Sequence, residues 1–418
     1  MPNNGASAVR RYGLALLSAF VVSSATARAD STRISRGAYL ATVGDCIACH
    51  TAPGGAAFAG GRRLHTPFGD LVSTNITPDP QTGIGGWSDD MFLKAVKKGV
   101  GARGQHLYAA MPFANYAKVS DQDILDIKGY LASLRPVHNA VEPNQLRFPF
   151  NIRLLSASIW SWFYFDPTPF RADPARGDQW NRGAYLVNGL GHCSACHTPK
   201  NRLGADRAGK FLAGAEIEGF YAPALNDAMR TGLGAWSAEE ITTYLRTGTS
   251  RHAVATGPMA EVIMRSTQFM TPADLQAMAV YLRSVVVPAD KEETAPPPDV
   301  AAIKAGGTIY AASCQSCHRA DGSGVPGLIP ALAGHAGVQS ANPASAIRVI
   351  LQGGQAAITD GNGRGTSMPA FAWRLTDAQI AGVIGFIGNS WGNRAPATSP
   401  QAVSDMRAAL HASDPAPR

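Results

Sequence analysis

Cys46-Ile47-Ala48-Cys49-His50, Cys193-Ser194-Ala195-Cys196-His197 and Cys314-Gln315-Ser316-Cys317-His318 decide how this chain is read. These three stretches use all six cysteines, so none is left for a disulfide or a nucleophile. On a helix, Cys at i and i+3 and His at i+4 lie on one face. Two thiols placed this way reach the two vinyl groups of one haem while the imidazole reaches its iron, which is what the c-type attachment sequence achieves. A structural zinc site would need a second CxxC pair to complete four ligands, and no repeat contains one.

Each haem iron then needs a second axial ligand. Met111 follows His50 by 61 residues, Met259 follows His197 by 62, and Met368 follows His318 by 50. Two of them stand in Met-Pro pairs, and Met259 follows Pro258. A single methionine is usually core filler, but three in one relative position point to iron ligands, with Met264 and Met270 competing only for the place of Met259. His/Met ligation raises the haem potential and leaves the iron no open position for oxygen or peroxide. The chemistry is outer-sphere electron transfer, with no catalytic residue of its own. The remaining histidines, His65, His106, His138, His192, His252, His335 and His411, show no pairing with Ser, Asp or Glu that suggests a triad. A ligating imidazole also needs an acceptor for its other nitrogen. Carbonyls of Pro223-Ala-Leu and Pro330-Ala-Leu are candidates, and Thr74-Asn-Ile-Thr-Pro78 occupies that place in the first repeat. Trp87 and Trp236 are read as core packing in preference to propionate donors.

Around the motifs the chain repeats itself. Arg36-Gly-Ala-Tyr-Leu40 returns as Arg182-Gly-Ala-Tyr-Leu186, and Thr82-Gly-Ile-Gly-Gly-Trp-Ser88 returns as Thr231-Gly-Leu-Gly-Ala-Trp-Ser237. The offsets, including the cysteines, run from 146 to 149 residues. A third, more divergent unit keeps a helical lead-in at Gly306-Gly-Thr-Ile-Tyr310. Each unit ends on an amphipathic helix with a Ser or Thr cap, at Ser120, Thr271 and Thr376. The expected architecture is mainly α: three tandem small helical domains, each around a covalently bound haem. The boundaries expected are 30–140, 176–288 and 300–392, with an aromatic-rich linker at 141–175, a Pro-rich linker at 289–299 and a flexible tail at 393–418.

Composition agrees with that organisation and narrows the function. At about 150 residues per domain, 418 residues suggest two to three domains. Charged residues make up 16% and apolar residues 45%, so the chain can bury real cores. The net charge of +7 is spread thinly, with no run of five Lys/Arg, which argues against nucleic acid. Residues 1–29 read as an export signal: Arg10 and Arg11, an apolar stretch from Tyr12 to Ser24, then Ala27-Arg28-Ala29 before the cut. That stretch is too short to span a bilayer, which takes roughly 18 residues. The mature chain is expected at the periplasmic face of the cytoplasmic membrane, attached peripherally. Removing Arg10, Arg11 and Arg28 lowers the charge to +4. Six haem propionates against three ferric centres then bring the holoprotein near neutrality.

From Leu146 to Phe165 the first linker holds seven aromatic residues in twenty, against 8% for the chain. Burial between the first two domains and a surface for a partner or membrane are both open readings.

With these motifs in hand, the chain resembles the three-haem cytochrome c subunits of bacterial membrane-bound dehydrogenases, such as gluconate 2-dehydrogenase, FAD-dependent sugar or polyol dehydrogenases and quinoprotein alcohol dehydrogenase. The resemblance rests on the two Arg-Gly-Ala-Tyr-Leu runs, Ser73–Asp79, Thr82–Ser88, His106–Pro112 and Cys193–Pro199. One departure is Ala109, where members often carry Pro; it leaves Met111 in place. The resemblance implies tandem cytochrome c domains passing electrons from a flavoprotein or quinoprotein catalytic subunit acting on CH–OH donors to ubiquinone in the respiratory chain, with a small third subunit possible. A free-standing periplasmic carrier, a cytochrome for a molybdenum hydroxylase or aldehyde dehydrogenase, and a haem peroxidase lacking one methionine are the competing readings.

Overall fold

The structure is a computed structural model, and it describes residues 31–286 and 299–413. The export signal expected at 1–29 and most of the Pro-rich linker lie outside those residues.

The described chain runs through one helical plan three times. The first unit holds α1 (31–43), α2 (Cys46–Cys49), α3 (Asp89–Lys98), α4 (Phe113–Tyr116) and α5 (Asp121–Ala132). Its antiparallel hairpin, β1 (Arg63–Thr66) and β2 (Gly69–Val72), gains a third strand from the linker, β3 (Gln145–Leu146). The linker is itself largely helical: a π-helical turn at Leu154–Ser158 runs into α6 (Ile159–Tyr164). The second unit repeats the order with α7 (Asp178–Asn188), α8 (Ser194–His197), the hairpin β4 (Ala215–Ile217) and β5 (Phe220–Ala222), α9 (Ala238–Thr247), α10 (Gly257–Arg265) and α11 (Pro272–Leu282). The third has α12 (Val300–Ser313), α13 (Gln315–His318), α14 (Ala344–Gln352), the short pair β6 (Gly354–Gln355) and β7 (Ser367–Met368), and α15 (Asp377–Gly388).

The closing helices start where their caps predict. Ser120, Thr271 and Thr376 each accept a bond from the backbone N–H three residues on. In each unit the closing helix crosses the opening one at a glycine. A Cβ on Gly37, Gly183 or Gly306 would stand 1.9, 1.9 or 2.0 Å from the carbonyl oxygen of Asp126, Ala277 or Gly382. The repeated glycine therefore sets the distance between the two helices that enclose each site.

The first two units share one hydrophobic core. Leu40, Val43, Ile124 and Ile127 pack in the same cluster as Leu186, Val187, Leu275 and Met278. The third unit has its own clusters, around Ile347, Leu351 and Ile380 and around Tyr310 and Val383. One expectation fails here. The tail, expected to be flexible from residue 393, holds α16 (Pro400–Ser413), whose Val403 and Leu410 are buried against α14 and α15. Arg407 fixes it by donating to Asp377 at 2.9 Å and to the carbonyls of Ala372 and Leu375. Ala, Pro and Ser dominate this tail, and that composition hides a helix with a single buried apolar edge.

Candidate haem sites

Each Cys-x-x-Cys-His stretch forms a short helix at the end of its unit's first helix, α2, α8 and α13. In all three the histidine is tethered in the same way. Nδ1 of His50 lies 2.7 Å from the carbonyl oxygen of Thr74, Nδ1 of His197 lies 2.7 Å from that of Pro223, and Nδ1 of His318 lies 3.1 Å from that of Pro330. Donation from Nδ1–H fixes the tautomer and leaves the Nε2 lone pair for a metal. Burial lowers the pKa of all three imidazoles, with the carbonyl acceptors pulling the other way, so they are held neutral as ligation requires. The two proline carbonyls are those singled out in the sequence, and the third acceptor sits in the Thr74–Pro78 run.

All six cysteines are unpaired thiols. Burial pushes Cys46 and Cys193 up to about 12 and Cys49 up to about 11, and it also raises Cys196 and Cys314. Among the described residues, no group of three or more His, Cys, Asp or Glu side chains is arranged to hold a bare metal ion. Two free thiols at i and i+3 beside an imidazole with a free Nε2 fit covalent haem.

The three methionines stand on different local structure. Met111 lies in the tight turn between Tyr108 and Phe113, Met259 in the first turn of α10, and Met368 on β7 opposite Gly354. Met111 and Met259 pack on the core shared by the first two units, and Met368 packs on the third unit's core. Of the two competitors, Met270 is buried within the shared core, and Met264 packs with Ala255, Ile263 and Ala357, a cluster that Met259 also touches. Trp87 and Trp236 pack on the shared core as expected, with Trp236 stacked on His252 at 4.7 Å. Among the other histidines, His65, His138 and His252 face Asp70, Asp79 and Glu240, at 2.8, 3.5 and 3.3 Å. None of these pairs includes a hydroxyl or thiol nucleophile.

Residues 181–286 and 303–391 match the Cytochrome c family. Over 390 residues the chain is 40% identical to the gluconate 2-dehydrogenase cytochrome c subunit of Pantoea cypripedii, covering 89% of this chain and 88% of that one. It is 38% identical over 392 residues to the cytochrome c subunit of alcohol dehydrogenase (quinone) from Gluconacetobacter polyoxogenes, covering 89% and 83%. It also matches a nicotinate dehydrogenase subunit of Pseudomonas putida at 40% identity, covering 88% of this chain but 31% of that longer one. The chain belongs to this family of cytochrome c subunits. As a cytochrome c it carries covalently bound haem and works in electron transport, and its mainly α architecture of cytochrome c domains is the one expected.

Sequence reasoning missed how this cytochrome c joins its first two units. Tyr39 donates to Asp274 at 2.5 Å, and Tyr185 donates to Asp123 at 2.6 Å, so the tyrosine of each Arg-Gly-Ala-Tyr-Leu run reaches into the other unit. Each hydroxyl also accepts from the capping residue's N–H, Thr271 at 3.3 Å and Ser120 at 2.9 Å. Within its own unit Arg36 holds Asp123 and Asp126, and Arg182 holds Asp274 through two bonds of 2.8 Å. The repeated Arg and Tyr were the available signal. The methionine-side helices cross over as well: Asn115 of the α4 helix donates to Ser194 at 2.9 Å beside the second motif. Arg62, which bonds the Ala48 carbonyl of the first motif, forks onto Glu261 of α10.

Proposed function

We propose that the chain is a tri-haem electron-transfer subunit of a membrane-bound dehydrogenase acting on CH–OH donors. It would take electrons from a separate flavoprotein or quinoprotein catalytic subunit and deliver them to ubiquinone. The observation that carries this reading is the threefold recurrence of one arrangement: unpaired thiols at i and i+3, and an imidazole whose Nδ1 is held by a backbone carbonyl. Cys46 and Cys49, Cys193 and Cys196, and Cys314 and Cys317 would hold the haems covalently. His50 with Met111, His197 with Met259, and His318 with Met368 would be the axial pairs. When bound, haem supplies reversible one-electron exchange at iron. The carbonyls of Thr74, Pro223 and Pro330 orient the three imidazoles, and with Met111, Met259 and Met368 also holding the iron it would have no open position for substrate. The similarity to gluconate and alcohol dehydrogenase subunits supports the choice of partner. The similarity to a nicotinate dehydrogenase subunit favours, as a second reading, service to a dehydrogenase of that kind.

Export to the periplasmic face belongs to the same proposal, with peripheral attachment and a small third subunit as further parts. Capturing the tagged, full-length chain from its native membrane and identifying the large subunit that comes with it tests the partner. A flavoprotein or quinoprotein sugar, polyol or alcohol dehydrogenase is expected. Haem quantification should give three per chain, falling by one when any one cysteine pair is changed to alanine. Recovery of the chain alone, or a haem count other than three, would sink the reading.

A further inference from the structure

The crossed packing of the first two units buries a carboxyl that the proposed axial ligation does not use. Asp45 precedes Cys46 and stands in left-handed backbone conformation, with φ of 48°. It is only 8% exposed, and its side chain does not cap the short helix that follows. Its Oδ1 is buried with no hydrogen-bond partner among the described residues. An Asp at this place is ordinarily explained by tolerance of the left-handed region and by N-capping. The second does not apply, and the first would be met by Asn or Gly without burying a charge.

The groups around Asp45 are specific. Arg62 reaches it from the loop before β1, while Glu261 and Arg265 face it from α10 of the second unit. Tyr116 of α4 completes its titratable surroundings, since the sulfurs of Cys46 and Cys49 would be thioethers once haem is attached. Both arginines are already committed. Arg62 forks onto Glu261, and Arg265 bonds the same carboxylate at 3.1 Å. Glu261 thus occupies the two cations that would otherwise neutralise Asp45, and the buried carboxyl is left to balance its charge with a proton. Burial, reinforced by Glu261, outweighs Arg265, Arg62 and the Ala48 N–H and pushes Asp45 up to about 8. The equivalent position in the second unit is His192, also left-handed at φ of 32°, whose Nε2 finds the Gly44 carbonyl at 3.3 Å. Asp45 has no such partner.

The geometry points to Asp45 as a redox-linked proton-binding site, its carboxylate taking up one proton from solvent when one electron reaches the haem held by Cys46 and Cys49, and releasing it when that electron leaves. A ferric haem carried by Cys46, the residue after Asp45, would favour the carboxylate, and its reduction would remove that positive charge, so electron and proton would arrive together and charge would balance. This rests on haem attachment at the first motif, which the haem count checks before any titration.

Optical redox titration of the holoprotein from pH 6 to 10 tests it. In the wild type one haem should lose up to tenfold in its reduction equilibrium per pH unit across a window around pH 8, about 59 mV per unit for a one-electron couple. In Asp45→Asn, which keeps the size and the tolerated backbone conformation, that slope should vanish while the other haems and the propionates titrate as before. An unchanged slope in Asp45→Asn would overturn the assignment. Should the variant fail to take up haem, redox-difference infrared on the wild type decides, with the haem carboxyls isotope-labelled to move their bands aside. A protonated-carboxyl band that grows on reduction supports Asp45, and its absence refutes the site. A holoprotein without haem at Cys46 and Cys49 would overturn both this inference and the attachment reading.

Discussion

At the scale of single residues, the two kinds of predicted contact have different tests. For the second unit, Met259→Ala should convert one haem of three from His/Met to weaker ligation, lowering its potential and removing one share of the thioether–ferric charge-transfer absorption. Met264→Ala, which loses only packing among Ala255, Ile263 and Ala357, should leave all three haem spectra intact. An altered spectrum in Met264→Ala alone would exchange their roles. The seam carboxylates have a pH signature instead. Burial works against ionising Asp274, but Arg182 and Tyr39 outweigh it and hold its pKa below the usual carboxylate value. A depressed folded pKa means the contribution is complete above the unfolded value near 4 and is lost as pH falls through the folded one. Asp274→Asn should therefore cost about 1–3 kcal/mol at neutral pH, a modest figure because Arg182 is a third exposed. The Tm difference from wild type should stay constant above pH ~5 and shrink below pH ~4, as thermal melts across that range would show.

Among the elements, the helix crossings make the sharpest claim. Gly37→Ala or Gly183→Ala puts a methyl within 2 Å of a carbonyl on the closing helix, so the helices must part at a cost of about 1–3 kcal/mol. Gly129→Ala, on the exposed side of α5 with nothing within 4 Å, should instead be neutral or gain about 0.5–1 kcal/mol. Denaturant melts of the three variants would separate close approach from simple helix propensity. The linker helix carries the other element-level claim. Trp160 is anchored edge-on against Phe113 at 5.9 Å, whereas Trp162 and Phe163 on the same helix are 81% and 68% exposed, and Phe148 and Leu154 earlier in the linker are exposed as well. Residues 143–165 carry Arg147 and Arg153 and no acid, so this face suits the interface of an anionic bilayer. Replacing Trp162 and Phe163 with serine should weaken sedimentation with anionic vesicles at least tenfold, given about 1.5–3 kcal/mol per large side chain buried. Undiminished binding would show that this face is not what meets a bilayer. Aromatic excess alone left burial and exposure equally open, because composition does not say which side of a helix faces out. The tail failed for a related reason: α16 is held by one edge of small and medium side chains and by Arg407, a pattern too weak to register as amphipathic.

For the whole molecule, what could be read in advance was whatever covalent chemistry fixes at short range: the cysteine and histidine spacing, the proline carbonyls opposite two imidazoles, the capped closing helices. What could not be read was the pairing of units. Asp123 and Asp274 each stand three residues after a capping residue, where an acid needs no further explanation than the helix N-terminus, so nothing in the sequence announced that each also receives a tyrosine from the other unit. That crossed pairing makes the architecture two plus one. The first two units share a core, and separating them would expose Leu186, Val187, Leu190 and their counterparts Leu40, Val43 and Val119. The third joins the second through a smaller seam, in which Ala357 packs on Ala255, Ala260 and Ile263 and hydrogen bonds flank that cluster. Ser345 brackets the Tyr221 backbone at 2.7 and 3.1 Å, Thr359 bonds the Thr247 carbonyl at 3.1 Å, and Asn342 bonds Glu216 at 2.9 Å. Beside them lies a cavity of about 280 Å³ bordered by Thr256, Met264 and Gly354. A chain ending at residue 286 should therefore fold, keep two haems and melt in one cooperative transition. A chain ending at residue 140 should aggregate or fail to retain haem, since half of its core would face water. Calorimetry of the full chain should resolve a second transition that the shortened one lacks. If the 286-residue chain unfolded while the 140-residue chain stayed folded with its haem, the shared core would not be the organising contact, and the three units would have to be treated as independent beads.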